Sequence, residues 1–194
     1  TLTNPTNIAQ TATYTVTPTS GTCNGATFTV TATINPKPVV PNQTATICSG
    51  ETFTTAPTNN APTTIIPTGT TYTWTVVDNA SITGESNQVT GQSNISQTLT
   101  NTTSTVQTVV YTVTPTSGDA GSCVGSTFTV TVTVNPKATI ANKTVSACSG
   151  SGFTVTPTNG TDIIPTGTTY AWSAPSVTGN LTGGVSASAQ ASIA

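Results

Sequence analysis

From Phe128 to Val134 the chain alternates without a break, with Phe128, Val130, Val132 and Val134 separated by Thr129, Thr131 and Thr133. Successive side chains of a strand point to opposite sides, so this run predicts a strand with an apolar core face and a hydroxyl-bearing wet face. Similar period-two runs, divided by Gly, Pro and Asn turn signals, predict about seven strands, over 43–47, 52–56, 70–77, 88–89, 95–100, 106–114 and 127–134. Helix is not expected. Threonine supplies about a quarter of the chain and, like Val, loses rotamer freedom in a helix, while 13 Pro and 16 Gly punctuate the segments. Seven short strands of this kind predict an all-β fold, the immunoglobulin-like β-sandwich.

The pattern also repeats. The octapeptide YTVTPTSG stands at Tyr14 and again at Tyr111, 97 positions on. TLTNPTNIAQTATYTV from Thr1 matches TLTNTTSTVQTVVYTV from Thr98, and IIPTGTTYTW from Ile65 matches IIPTGTTYAW from Ile163, 98 positions on. CNGATFTVTATINPK from Cys23 matches CVGSTFTVTVTVNPK from Cys123, now 100 apart because the second copy inserts residues around Asp119, Ala120 and Gly121. A period near 100 is too long for a solenoid unit and suits a domain that folds on its own. Proline ends strands and stiffens connections, so the NPKP at Asn35 and the NPK at Asn135 are the expected boundaries. Residues 1–35 then finish one repeat, 36–135 form a complete one, and 136–194 begin a third. The pattern is under way at Thr1 and at Ala194, so the polypeptide is expected to continue in both directions.

Charge narrows the function classes. Three Lys, no Arg, no His and a net charge of −2 leave no basic cluster to release counterions from nucleic acid, and no run approaches the roughly 18 apolar residues of a membrane-spanning helix. Catalysis needs a nucleophile with a base, an acid–base pair or a metal. The acids are Glu51, Asp78, Glu85, Asp119 and Asp162, and they do not recur from copy to copy; no enzyme activity, metal or cofactor is expected. Lys37 and Lys137 recur beside Asn35 and Asn135, without the recurring acid that a Lys–Asn crosslink needs. Asn79, Asn94 and Asn101 open N-x-S/T sequons, which so Thr-rich a chain produces by chance.

Tyr72 and Trp74 share one side of a predicted strand, as do Tyr170 and Trp172. A sugar-binding platform is one reading; core aromatics of a sandwich is the reading taken. The cysteines come in two kinds, Cys23 and Cys123 in C-x-G, and Cys48 and Cys148 in CSG. Without His or a C-x-x-C pair, zinc is disfavoured and disulfides are expected, which implies an oxidising compartment. The expected bond joins Cys48 to Cys123 within the complete repeat, leaving Cys23 and Cys148 to partners in neighbouring repeats. The alternative pairs Cys23 with Cys48 and Cys123 with Cys148.

The order ICSGETF, YTWTV, YTVTPTSG and C-x-G-x-TFTVTVTVNP resembles the PKD-like, immunoglobulin-like tandem repeats of giant Bacteroidota surface proteins, among them gliding-motility adhesins exported by type IX secretion. The WDFGDG-like element of ordinary PKD domains is absent after Trp74, where TVVDNASITGES stands, so the PKD-like variant is what the resemblance implies. It also implies a structural segment of a long extracellular adhesin, stalk or filament on the bacterial cell surface, partnered by adjacent repeats of its own chain. Two alternatives are repeats that themselves bind surface glycan through a loop such as residues 57–69, and chains that join through exposed strand edges into a multi-chain filament.

Overall fold

In the computed structural model, which describes residues 1–118 and 121–194, the alternating runs form strands in the expected places. β1 (Gln10–Val16) and β4 (Phe28–Ile34) make an antiparallel hairpin, carried through its turn by the short strands β2 (Thr19–Ser20) and β3 (Cys23–Asn24). Eight strands follow: β5 (Gln43–Cys48), β6 (Glu51–Thr55), β7 (Thr71–Val76), β8 (Ile82–Thr83), β9 (Gln88–Gln92), β10 (Ile95–Asn101), β11 (Gln107–Thr116) and β12 (Phe128–Asn135). They form a five-stranded sheet in the order β5-β12-β11-β7-β9 and a three-stranded sheet in the order β6-β10-β8. Among the described residues there is no helix.

The apolar positions of both sheets meet in one core. Val130, Val132 and Val134 of β12, Val109, Tyr111 and Val113 of β11, and Ile95 and Leu99 of β10 are all buried. Each aliphatic side chain removed from water in this way contributes about 2 kcal/mol before the entropy cost of ordering it. Phe53 packs on Tyr111 with ring centroids 5.3 Å apart, and Tyr72 meets Phe128 edge-on at 6.2 Å. The opposite faces carry hydroxyls, and on β6 and β10 these pair across the strands, Thr52 with Thr98 at 2.6 Å and Thr54 with Ser96 at 2.9 Å.

The first and last strands of this sandwich run parallel. β5 lies beside β12 with Gln43 opposite Val130 and Cys48 opposite Asn135. The sandwich therefore has two poles. At the lower pole, where β5 and β12 begin, Val39 bridges Ile65 and Gly69 packs on Gly118 so closely that a β-carbon on Gly118 would lie 2.7 Å from the Cα of Gly69. The closing glycine of YTVTPTSG is thus required by a backbone-to-backbone contact. At the upper pole Ser49 and Gly50 carry the chain from one sheet to the other, Gly50 at φ +87°, with the Ser49 N–H donating to the Asn135 carbonyl at 2.9 Å.

The remaining segments repeat parts of this plan. In the first hairpin Tyr14 pairs with Val30 and Val16 with Phe28, as Tyr111 pairs with Val130 and Val113 with Phe128. Phe28 and Val30 are about half exposed, and Phe128 and Val130 are buried, because among the described residues the central copy alone has a second sheet to cover them. After β12 come β13 (Tyr170–Trp172) and β14 (Ala187–Gln190), paired as β7 pairs with β9. Residues 143–148, the counterparts of β5, form no strand; β5 is held by β12, and no strand among the described residues lies beside 143–148 in the same way. Val155 bridges Ile193, which is the counterpart of the first rung, Thr55 to Ile95, of the β6–β10 ladder.

Two details of the strand reading change. β9 extends to Gln92 rather than ending at Val89, and β8, at two residues, is too short to show alternation. Asp119 and Ala120 of the inserted turn lie outside the described residues.

Candidate functional site

Tyr72 and Trp74 are both buried on the core side of β7, at 2% and 5% exposure. The Trp74 indole donates to the Ser86 carbonyl at 3.1 Å, and Trp172 repeats that bond to Val185 at 3.1 Å, with Tyr170 and Trp172 both part-exposed. Beside Trp74 is an open recess of about 260 Å³ whose lining includes Gln88, Gln92, Asn94 and Gln97. Gln97 organises it. Its Oε1 accepts from the Tyr111 hydroxyl at 2.8 Å and from the Ser86 N–H at 3.1 Å, while its Nε2 donates to the Ser86 carbonyl at 2.8 Å. Burial, reinforced by the nearby negative charge of Glu85, pushes the Tyr111 hydroxyl well above the ordinary tyrosine range. The loop at 57–69 folds on itself, with Asn60 and Thr64 exchanging backbone bonds at 2.8 and 3.0 Å and the Ile66 N–H donating to Asn59 Oδ1.

The upper pole is fastened by a residue that alternation does not reveal. Asn101, at 1% exposure, donates from Nδ2 to the carbonyls of Thr105 at 2.7 Å and Val134 at 3.0 Å, and its Oδ1 accepts from the N–H and hydroxyl of Thr103. Its backbone N–H donates to Ser49 Oγ at 2.9 Å. Asn4 makes the same set, to Ile8 and Ile34 with Nδ2 and from Thr6 to Oδ1. The signal was present as the repeated TLTN with Thr two positions on. It also explains the sequon at Asn101, whose amide is enclosed and fully bonded.

The expected Cys48–Cys123 bond needs correction. Cys48 ends β5 at the upper pole, exposed and opposite Asn135. Cys123 precedes β12 at the lower pole, half-buried, and its N–H donates to Ser117 Oγ at 2.9 Å. β12 alone spans about 23 Å between the two poles at roughly 3.3 Å per residue, whereas a disulfide needs Cα atoms within roughly 7 Å. The parallel pairing of β5 and β12 is the cause, since it sends the two cysteines to opposite poles. The alternative pairs are not brought together either, and no two of the four cysteines are bonded to each other.

Asp162 is the one acid with a cation: Lys143 Nζ lies 2.6 Å from its Oδ2 among the described residues, and the Ala141 N–H donates to Oδ1 at 3.0 Å. The Lys143 contact, then the Ala141 bond, hold its carboxyl below the ordinary aspartate value. A depressed carboxylate contributes its full stability above the unfolded value near 3.9 and loses it as the pH falls through the folded one. A carboxyl NMR titration is expected to give a midpoint below about 3.9, moving up toward it in Lys143→Ala. A midpoint at or above that value contradicts the ion pair. No group of three or more His, Cys, Asp or Glu side chains suited to a metal occurs among the described residues.

Two poles, a parallel first and last strand, and recurring glycine and asparagine fasteners describe a module more than a reaction centre. The PKD-like domain family matches residues 1–38 and 45–138, most of the chain. The chain belongs to the PKD-like domain family. No curated protein matches it. PKD-like domains are structural repeat modules, and in this one Ser49, Gln97 and Asn101 fasten turns and poles. No helix of the described residues is long and apolar enough to cross a membrane.

Proposed function

We propose that this PKD-like chain is a segment of a long extracellular stalk or filament on a bacterial cell surface, of the kind found in giant Bacteroidota surface adhesins exported by type IX secretion and used in gliding motility. Residues 1–35 close one repeat, 36–135 form a complete repeat and 136–194 open a third. One observation carries this reading. Because β5 and β12 are parallel neighbours, the chain enters the sandwich at the lower pole and leaves at the upper one. Modules joined in that way add length with every copy and do not fold back. The ten residues of β11 span on the order of 33 Å at about 3.3 Å per residue, and the turns at the two poles bring a module to roughly 40 Å. Pro36 and Pro38, both buried, limit bending at the joint. Low charge and hydroxyl-coated faces suit an exposed shaft.

Electron microscopy of the native polypeptide tests it. Beaded rods with a spacing on the order of 40 Å are expected, and a freely flexible string of beads contradicts the stalk. A second reading, that each repeat holds a glycan, rests on the amide-lined recess beside Trp74, whose Gln and Asn side chains offer both donors and acceptors to sugar hydroxyls. Its test is binding of surface polysaccharide that Gln92→Ala together with Asn94→Ala abolishes; binding unaffected by that pair removes the recess from consideration.

A further inference from the structure

The four cysteines acquire partners once the two poles are considered together. Cys48 is the ladder partner of Asn135, and both point away from the core, since Ile47 and Val134 beside them are buried. Asn135 is the counterpart of Asn35, 100 positions earlier. The Asn35 side-chain amide lies against Gly121, where a β-carbon would collide with it, and Gly121 is two residues before Cys123. Carried over by the repeat, the position of the CSG cysteine falls beside the asparagine that ends its own copy, and the C-x-G cysteine of the next copy follows two residues after the glycine which that asparagine touches. The joint is tightly closed around Pro38, whose carbonyl a β-carbon on Gly125 would strike. On the other side of the central repeat, Cys48 lines an open recess of about 320 Å³ together with Ser49, Glu51 and the connector residues Pro136 and Lys137.

We propose that a disulfide crosses every joint, linking the CSG cysteine of each repeat to the C-x-G cysteine of the repeat that follows. The inference rests on the tandem reading above. Cys123 lies 75 positions after Cys48 and one repeat adds 100, so bonded partners are 175 positions apart and no two of the four cysteines of this chain pair with each other. Formation is an exchange: one thiolate attacks the disulfide of a protein disulfide oxidant to give a mixed disulfide, the second thiolate attacks the stalk sulfur of that bond, and the oxidant leaves as a dithiol carrying the two electrons and two protons. Both cysteines meet the access requirement, Cys48 exposed and Cys123 half-buried.

The pairing has a consequence that neither other pairing shares. Loops of 175 residues that start every 100 overlap, so every backbone position along the interior of the stalk is enclosed by at least one of them. A single proteolytic cut then never severs the polypeptide. A Cys48–Cys123 bond leaves 124–147 unenclosed, and a Cys23–Cys48 bond leaves 49–122 unenclosed.

Limited proteolysis of the native full-length polypeptide, alkylated first without reduction, reads this out. Singly cut molecules are expected to run at full length on a non-reducing gel and as fragments after reduction, wherever the cut falls, and peptide mapping is expected to recover ICSGETF linked to the C-x-G peptide about 175 residues downstream, the loop length set by the repeat. Fragments on the non-reducing gel from cuts in the counterparts of 124–147 or 49–122, a crosslink within one repeat, or alkylated cysteines throughout would each overturn the proposal. Rods seen by microscopy with alkylated cysteines leave the stalk standing while the crosslink falls; crosslinked chains that image as flexible strings do the reverse.

Discussion

Replacing Tyr111 by alanine is expected to destabilise the central PKD-like repeat by about 4 kcal/mol, and the same replacement at Tyr14 by less than about 1 kcal/mol. The two tyrosines occupy the same place in the same octapeptide, so sequence context is held constant and only packing differs. Tyr111 is fully buried and Tyr14 is 49% exposed. Truncating Tyr111 removes the ring that packs on Phe53 at 5.3 Å and opens a cavity between the two sheets. It also removes the hydroxyl that donates to Gln97 at 2.8 Å. Tyr111→Phe separates these contributions. Gln97 Oε1 keeps the Ser86 N–H at 3.1 Å, so loss of the hydroxyl alone is expected to cost only about 1 kcal/mol. Urea unfolding followed by Trp74 fluorescence, with Trp172 replaced by Phe in every variant, measures all three. Equal losses at positions 14 and 111 would mean that the first hairpin supports the sandwich as strongly as Tyr111 does, contrary to its exposed Phe28 and Val30.

That contrast also shows what could be read from the residues alone. Alternation decides which side of a strand is wet, and it placed the burial of Phe128, Val130, Val132 and Val134 and seven strands to within a few residues. It carries no information on the direction in which distant strands pair. Gln43–Cys48 reads the same whether β5 runs along β12 or against it, and the parallel choice moved Cys48 to the pole opposite Cys123. β8 escaped for a simpler reason, since two residues contain no period. Asn101 is a different case. A buried Asn at a strand end looks like any turn residue until its four bonds are seen, and it enters the sequence reading only as a sequon. The third segment illustrates the same dependence on distant partners. Residues 143–148 repeat the register of β5 yet pair with nothing, because strand formation at a sheet edge follows the neighbour, not the local propensity alone.

Asn101→Asp is expected to destabilise the repeat by about 3–5 kcal/mol at neutral pH, more than Asn101→Ala at about 2–3 kcal/mol. The two substitutions differ by a charge that the site cannot accommodate. The Asn101 amide group faces the carbonyls of Thr105 and Val134, and an aspartate puts an acceptor where both carbonyls need a donor. Among the described residues no lysine bonds to Asn101: of those at 37, 137 and 143, Lys143 is held by Asp162, and Lys137, on the connector after β12, is exposed. Alanine merely leaves the two carbonyls and the Thr103 donors unsatisfied. The sign with pH follows. A carboxyl buried against carbonyls is held above the ordinary aspartate value, so the folded variant binds more protons than the unfolded one and gains stability as the pH falls toward about 3.9. There the protonated acid donates to one carbonyl, and the gap between Asn101→Asp and Asn101→Ala is expected to close or reverse. Urea midpoints for the parent and both variants at pH 7 and pH 3.5 decide it. Asp and Ala variants of equal stability at pH 7 would show that water reaches the upper pole, and that Asn101 is not the closed fastener joining β10, the turn to β11 and the end of β12.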